Sequence, residues 1–184
     1  MSEITRLQGP DEAAIRETGT GKLVDGAGWF VLNLREASWD HDTDAGTWCG
    51  FESDDAHFPQ FGVNVHVVMP GQANGRYHAE TNQEDFLVLA GECIAIVEGE
   101  ERRLGQWDFF HCPPGTHHII VGAGDGPCAV LMIGTRDPDR TIEYPVDATA
   151  ARHGASVSEP TNSPREAYAD QRREPTRVRA PWPT

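Results

Sequence analysis

Between about Trp29 and Gly134 the chain consists of short apolar runs, and residues that favour turns separate each run from the next. Glycine, proline, asparagine and aspartate form these breaks, as in Pro70-Gly71 and Pro113-Pro114-Gly115. Many short strands with closely spaced turns are typical of a sandwich or barrel, so we predict an all-β fold. The predicted strands cover residues 29–35, 61–69, 84–90, 93–98, 107–112, 117–121 and 128–134.

The two ends of the chain differ from this central region in composition. Residues 136–184 contain seven of the 13 prolines and few large apolar side chains. We therefore predict an N-terminal lead-in over 1–20, a barrel over 21–135 and a C-terminal arm over 136–184, which wraps its own domain or a partner subunit or is partly disordered. Short helices are predicted near residues 10–15, over 147–152, and from the capping box at Ser163 to about Arg173.

The charge balance excludes several classes of partner. The formal net charge is -14, and residues 1–135 carry 21 acids against seven bases. Nucleic acids and anionic membranes both require a positive surface, so we expect neither as a partner. No apolar run approaches the ~20 residues of a membrane helix, and the acidic N-terminus lacks a signal-peptide core. The four cysteines form no Cys-x-x-Cys pair, which fits free thiols. We predict a soluble, cytoplasmic protein.

The segment RYHAETNQEDF, residues 76–86, combines one imidazole with two spaced carboxylates just before a hydrophobic run. His78 and Glu80 are two residues apart, so they point to the same face of an extended strand. Glu84 joins them only if residues 81–83 turn the chain back, and their polar composition suits a turn. Oxygen and nitrogen donors that converge in this way are appropriate for a divalent first-row metal.

A second candidate segment, WDFFHCPPGTHHII, places His117 and His118 directly after a Pro-Pro-Gly turn. Adjacent residues of a strand face opposite ways, so only one of these two imidazoles points inward. The residues alone leave open which one does.

Together the two segments resemble the paired motifs of the cupins, which are small double-stranded β-helix (jelly-roll) barrels. In the first motif, two histidines spaced by one residue are followed by a glutamate and a glycine; the second contains Pro-x-Gly-x-x-His. The residues that match are His78, Glu84 and Gly91 in the first motif and Pro113, Gly115 and His118 in the second. Glu80 stands where the family usually has its second histidine. The resemblance covers roughly residues 61–134 and selects His118 over His117.

The resemblance implies that His78, Glu80, Glu84 and His118 bind a divalent metal inside the barrel. For Glu80 three roles stay open: a direct ligand, a hydrogen-bond partner of a ligand water, or an acid in a pocket without metal. Two carboxylates with two imidazoles favour Fe(II) or Mn(II), with Zn or Ni as further options. The family also implies a homodimer, which agrees with the need to cover exposed sheet edges.

The sequence suggests roles for several further residues. Asn64 and His66 share a strand face, and His66 is the candidate acid–base group in the barrel. His117 is expected to face outward, His111 to lie on the surface, and Cys112 to be a small buried hydrophobe. Asp40, Asp42 and Asp44 are interpreted as a solvated loop, because the spacing departs from a calcium loop. Barrel-lining side chains are expected at Phe86, Val88, Phe110 and Ile120.

Two functions remain compatible with these residues. The first is a metal-dependent enzyme acting on a small polar molecule, by dioxygenase-like or Lewis-acid chemistry such as that of an oxygenase or isomerase. The second is a non-catalytic cupin that binds or senses a small molecule, with or without metal. The fold hosts both kinds, so it does not separate them.

Overall fold

Strands make up most of the regular structure in the computed structural model, which describes residues 8–53, 56–171 and 174–181. The strands are β1 (Ala14–Thr18), β2 (Gly21–Asp25), β3 (Ser38–Asp42), β4 (Gly46–Gly50), β5 (Phe61–Val68), β6 (Ala79–Glu80), β7 (Glu84–Ala90), β8 (Glu92–Val97), β9 (Glu100–Gly105), β10 (Phe109–Cys112), β11 (His118–Ala123), β12 (Cys128–Thr135), β13 (Ile142–Glu143) and β14 (Thr176–Arg179). The two helices are α1 (Ala148–Arg152) and α2 (Pro164–Ala167). None of the helices in the described ranges has the length and apolarity needed to span a lipid bilayer.

Ten of the strands form a seven-stranded sheet that packs against a three-stranded sheet, and β1 with β2 and β6 with β13 form two further pairs. The large sheet has the order β10-β7-β12-β5-β4-β3-β14 and the small sheet the order β11-β8-β9, with antiparallel pairing throughout. Phe86 and Val88 of β7 meet Ala95 of β8 and Ile120 of β11 in one buried cluster, and Phe110 packs against it. Phe86, Val88, Phe110 and Ile120 are the predicted barrel-lining side chains. The predicted all-β jelly-roll fold is confirmed.

The outer face of the large sheet has a core of its own. Trp39 of β3 and Val65 of β5 are buried there beneath Leu32 and Leu34. The strand predicted over 29–35 is wrong, because these residues form no ladder. Leu32 and Leu34 pack on this face instead. The Trp39 indole N–H donates to the Leu34 carbonyl (2.9 Å), which fixes the segment to the sheet.

The N-terminal segment also differs from its prediction. The helix expected near residues 10–15 is absent from the described residues, and β1 pairs with β2 in a hairpin instead. The hairpin crosses the boundary predicted between residues 20 and 21, and residues 1–7 of the predicted lead-in lie outside the described part of the chain. The division into lead-in, barrel and arm therefore stays a prediction.

The C-terminal arm contains the two helices expected from its capping residues. Asp147 Oδ1 accepts from the Ala150 N–H (2.7 Å) and begins α1, and Ser163 Oγ accepts from the Glu166 N–H (3.4 Å) and begins α2. Helix α2 ends at Ala167, earlier than predicted; residues 172–173 lie outside the described ranges. Beyond them β14 pairs with β3, so the arm adds a strand to the large sheet.

A buried arginine fastens the arm to the barrel. The Arg76 guanidinium donates to the carbonyls of Gly154 (2.8 Å), Ser156 (3.3 Å) and Ala167 (3.3 Å). It also contacts the Asp170 carboxylate at 2.6 Å, and this hydrogen bond lowers the pKa of Asp170. Because Arg76 is two residues before His78, the same contact holds the arm close to the predicted site.

Candidate metal centre

Three strand beginnings bring the predicted ligands together. Glu84 is the first residue of β7, His118 is the first residue of β11, and His78 immediately precedes β6. The His118 N–H donates to the His78 carbonyl (2.8 Å) and the His78 N–H to the His118 carbonyl (3.2 Å). This backbone pair joins segments 40 residues apart and places both imidazoles on one side, with ring centroids 4.8 Å apart.

The donor atoms of the three side chains converge on one point. Glu84 Oε2 lies 3.2 Å from His118 Nε2 and 3.6 Å from His78 Nε2, and one donor atom from each residue falls within 4.8 Å of the others. Two donors that each lie about 2.1 Å from a metal, at about a right angle, are about 3 Å apart. The spacing of these three atoms therefore fits a shared metal ion.

Hydrogen bonds to carbonyl groups set the tautomers of both histidines. His78 Nδ1 lies 2.7 Å from the Arg76 carbonyl, and His118 Nδ1 lies 3.0 Å from the Thr116 carbonyl. A carbonyl only accepts, so Nδ1 carries a proton in each ring, and Nε2 of each ring is the nitrogen that faces Glu84. Such outer hydrogen bonds orient histidine ligands in metal sites.

Glu84 supplies the negative charge of the group. Its Oε2 atom is shielded from solvent and receives no hydrogen bond of good geometry from the described residues. Burial by itself raises the pKa of Glu84, but the His118 and His78 imidazoles outweigh it and lower that pKa to about 2. Burial likewise lowers the pKa of His78, and the Glu84 carboxylate reverses this effect and raises it. A buried carboxylate facing two imidazole Nε2 atoms is a donor set that fits a cation.

Glu80, the fourth predicted ligand, lies outside this group of three. Its side chain is 8% exposed, and its Oε2 forms an ion pair with Nη1 of Arg140 from the C-terminal arm. The strand positions this contact, because Ile142 of β13 lies opposite Glu80 of β6. A metal-ligating role for Glu80 stays a prediction. Nothing in the sequence singled out Arg140, which is 60 residues further along the chain.

A cavity of about 510 Å³ adjoins Glu84 inside the barrel. Polar side chains dominate its wall, among them Asn64, His66, Asn74, Glu80 and Arg140. The His66 ring stacks on Trp48 with ring centroids 5.9 Å apart, and Asn64 Oδ1 is buried without a hydrogen-bond partner among the described residues. The cavity therefore offers hydrogen-bonding groups beside the three donors, and a catalytic role for His66 stays a prediction.

The other histidines near the site have partners elsewhere. His117 Nε2 lies 2.8 Å from Glu143 Oε1, and its ring stacks on Tyr77. His111 is exposed and contacts Asp85 at 2.7 Å. Neither belongs to the group of three, which agrees with the expectation that both face away from it.

The structure also shows the environment of Cys112 and of the acidic loop between β3 and β4. Cys112 is buried beside His118, with Sγ 3.2 Å from Nδ1, and burial raises the pKa of its thiol to about 12. In the acidic loop, Asp42 Oδ1 accepts the backbone N–H groups of Asp44 (2.9 Å) and Ala45 (3.2 Å). The aspartate thus stabilises the turn between β3 and β4.

Comparison with known proteins assigns the barrel to a family. Residues 64–134, which include all the predicted site residues, match the Cupin domain family. Residues 64–134 therefore form a cupin domain, as the two motifs and the fold predicted. A comparison with curated proteins found no match.

Several solved structures are similar to this chain. A sugar phosphate isomerase of the cupin superfamily from Silicibacter pomeroyi is 27% identical, with a TM-score of 0.49, over 55% of this chain and 65% of that one. A sugar phosphate isomerase described as putative in its name, from Acidithiobacillus ferrooxidans, is 25% identical, with a TM-score of 0.45, over 47% and 56%. The polyketide cyclase RemF from Streptomyces resistomycificus is 16% identical, with a TM-score of 0.50, over 59% and 81%. The chain thus covers less than two thirds of either isomerase.

Proposed function

We propose that the protein binds a divalent metal ion through His78, Glu84 and His118 and acts on a small polar molecule in the adjoining cavity. The observation that carries the proposal is the convergence of two Nε2 atoms and one buried carboxylate oxygen. Both imidazoles are oriented with Nε2 toward Glu84 by the carbonyl groups of Arg76 and Thr116, each two residues before its histidine.

The donor set favours particular metals. Two imidazoles and one carboxylate form the set found in many non-haem iron sites, so we propose Fe(II) or Mn(II), with Zn or Ni as further options. With three protein donors, a metal keeps open positions for ligand oxygens and supplies Lewis acidity or, if it is redox-active, activation of dioxygen.

The cavity residues would bind and orient the small molecule. Asn64 and Asn74 offer amide groups on the wall next to Glu84, and Met132 contributes an apolar patch to the same wall. His66, on the same wall, is proposed to accept or donate a proton at one of its ring nitrogens. A molecule with several oxygen atoms matches this lining better than an apolar one.

The proposal is tested by elemental analysis of protein purified without chelator. We expect about one transition-metal ion per chain in the wild type and at least about tenfold less in His78→Ala and His118→Ala. His111→Ala is the matched control, because His111 also pairs with a carboxylate but lies outside the group. A wild-type protein that takes up no stoichiometric metal even after reconstitution contradicts the proposal.

A non-catalytic binding cupin is the alternative that the same protein can test. In that case the wild type saturates with its small molecule, and the metal-depleted His78→Ala variant binds that molecule equally well. Under the proposed function, loss of the metal also weakens binding, because metal and ligand share the cavity wall at Glu84.

A further inference from the structure

Glu80 occupies the place of a metal ligand in the cupin motif but contacts a cation of the protein instead. It lies two residues after His78, and its carboxylate is held by Arg140. The three donor atoms of His78, Glu84 and His118 group together without it. The ion pair therefore accounts for the position of an acid that the sequence alone places among the ligands.

Burial makes this ion pair hard to break. The Glu80 side chain is 8% exposed, whereas that of Arg140 is 43% exposed. A buried carboxylate without a partner raises the free energy of the folded state. When Arg140 is removed, contact with another cation would therefore stabilise Glu80. A metal bound by Glu84 is a candidate, since Glu80 and Glu84 line the same cavity.

The backbone of the arm fixes Arg140 in place. The Thr81 N–H donates to the Thr141 carbonyl (3.0 Å), and the Thr141 N–H donates to Thr81 Oγ1 (3.0 Å). The Arg140 N–H donates to the Asp137 carbonyl (3.1 Å). The bonds between Thr81 and Thr141 join the residues that directly follow Glu80 and Arg140, so the backbone holds the two side chains near each other.

We propose that Arg140 is a positioning residue that withholds Glu80 from the metal and so keeps a site of three protein donors. The inference rests on the proposed function, because it concerns the same metal. Its consequence is one more coordination position for a ligand than four protein donors would leave. Specificity for the small molecule then depends on the C-terminal arm as well as on the barrel.

The test compares metal affinity, measured by competition with a chelator, in four variants. Arg140→Gln releases Glu80, so we expect metal affinity to rise by about tenfold or more. The double variant Glu80→Gln/Arg140→Gln has the same net charge as the wild type, so we expect its affinity to stay within about threefold. In Glu80→Gln alone the affinity also stays within about threefold of wild type, apart from a small loss from the unpaired arginine.

Arg136→Gln is the matched control for charge. Arg136 lines the same cavity but pairs with Glu52 (2.7 Å), which is not a candidate ligand. An equal rise in affinity in Arg136→Gln and Arg140→Gln overturns the inference, because loss of positive charge would then explain both. A double variant that loses about tenfold or more in affinity also overturns it, since Glu80 would then be a ligand in the wild type.

Unfolding in the presence of chelator tests the ion pair without any metal. Arg140→Gln is expected to lower the urea midpoint, and the added Glu80→Gln substitution is expected to restore most of the loss. Additive effects of the two substitutions on the urea midpoint contradict an ion pair between Glu80 and Arg140. Failure of the wild type to bind metal overturns the proposed function, whereas failure of the inference alone leaves metal binding by His78, Glu84 and His118 intact.

Discussion

At Gly91, the last residue of the first cupin motif, the backbone has a φ of 76°. A Cβ atom built on it would lie 2.4 Å from the Pro127 carbonyl oxygen, which is closer than real contacts allow. The glycine joins β7, which begins with the ligand Glu84, to β8. The position therefore requires glycine for both its backbone angle and its space.

Replacing this glycine tests whether the tight turn supports the site. Gly91→Ala is expected to lower the free energy of unfolding by about 2 kcal/mol or more, since it combines a strained φ with a backbone clash. Urea denaturation measures the change. Gly126→Ala is the control, because nothing lies within 4 Å of its Cβ position, and we expect a change within about 0.5 kcal/mol. Equal effects at the two positions would contradict the argument.

At the scale of elements, the strands that were predicted correctly are those with buried apolar runs. Strands β5, β7 and β12 in the large sheet and β8 and β11 in the small one lie close to their predicted bounds. Strands β3 and β9, with the sequences SWDHD and EERRLG, have no run of apolar residues and were missed. They are strands because a neighbouring strand pairs with them, and pairing is not visible in local sequence.

The attachment of the C-terminal arm to the barrel through Arg76 can be tested directly. Arg76→Gln removes a buried guanidinium that satisfies three carbonyl groups, so we expect the free energy of unfolding to fall by about 3 kcal/mol. We also expect limited proteolysis to cut the arm sooner. Arg165→Ala, an exposed arginine on α2, is the control and should behave like the wild type. An unchanged cutting rate in Arg76→Gln would show that other contacts hold the arm.

The ion pair between Arg76 and Asp170 is expected to weaken as the pH falls. The Arg76 hydrogen bond lowers the pKa of Asp170, so the ion pair stabilises the folded state at neutral pH and this contribution is lost as the pH falls below about 4. Asp170 is largely exposed, which limits the contribution to less than about 1 kcal/mol. The three carbonyl bonds do not titrate and carry most of the effect.

At the scale of the whole molecule, β10 and β9 are edge strands of the two sheets within the described residues. Two aromatic side chains at or just before the start of β10 are exposed, Trp107 by 70% and Phe109 by 62%. Exposed edges with large apolar side chains favour association, so the homodimer implied by the resemblance stays our proposal.

Light scattering tests the dimer directly. We expect a mass twice the 20.2 kDa of one chain, and a shift toward the monomer in Phe109→Asp if this edge forms the interface. Val31→Asp, at an exposed position in the segment that covers the outer sheet face, is the control and should keep the wild-type mass. A monomeric wild type contradicts the dimer, and a dimeric Phe109→Asp variant contradicts this interface.

The sequence by itself determined the fold class, the central strands and the residue types of the candidate metal site. Turn residues and apolar runs carry that information locally. The resemblance to the cupin motifs implies His78, Glu80, Glu84 and His118 as ligands, and three of these four lie together in the structure. Only the tertiary structure decided the surroundings of Glu80. Its partner Arg140 comes from the arm through the pairing of β6 with β13. A contact across 60 residues depends on how the chain packs, and no local pattern encodes it.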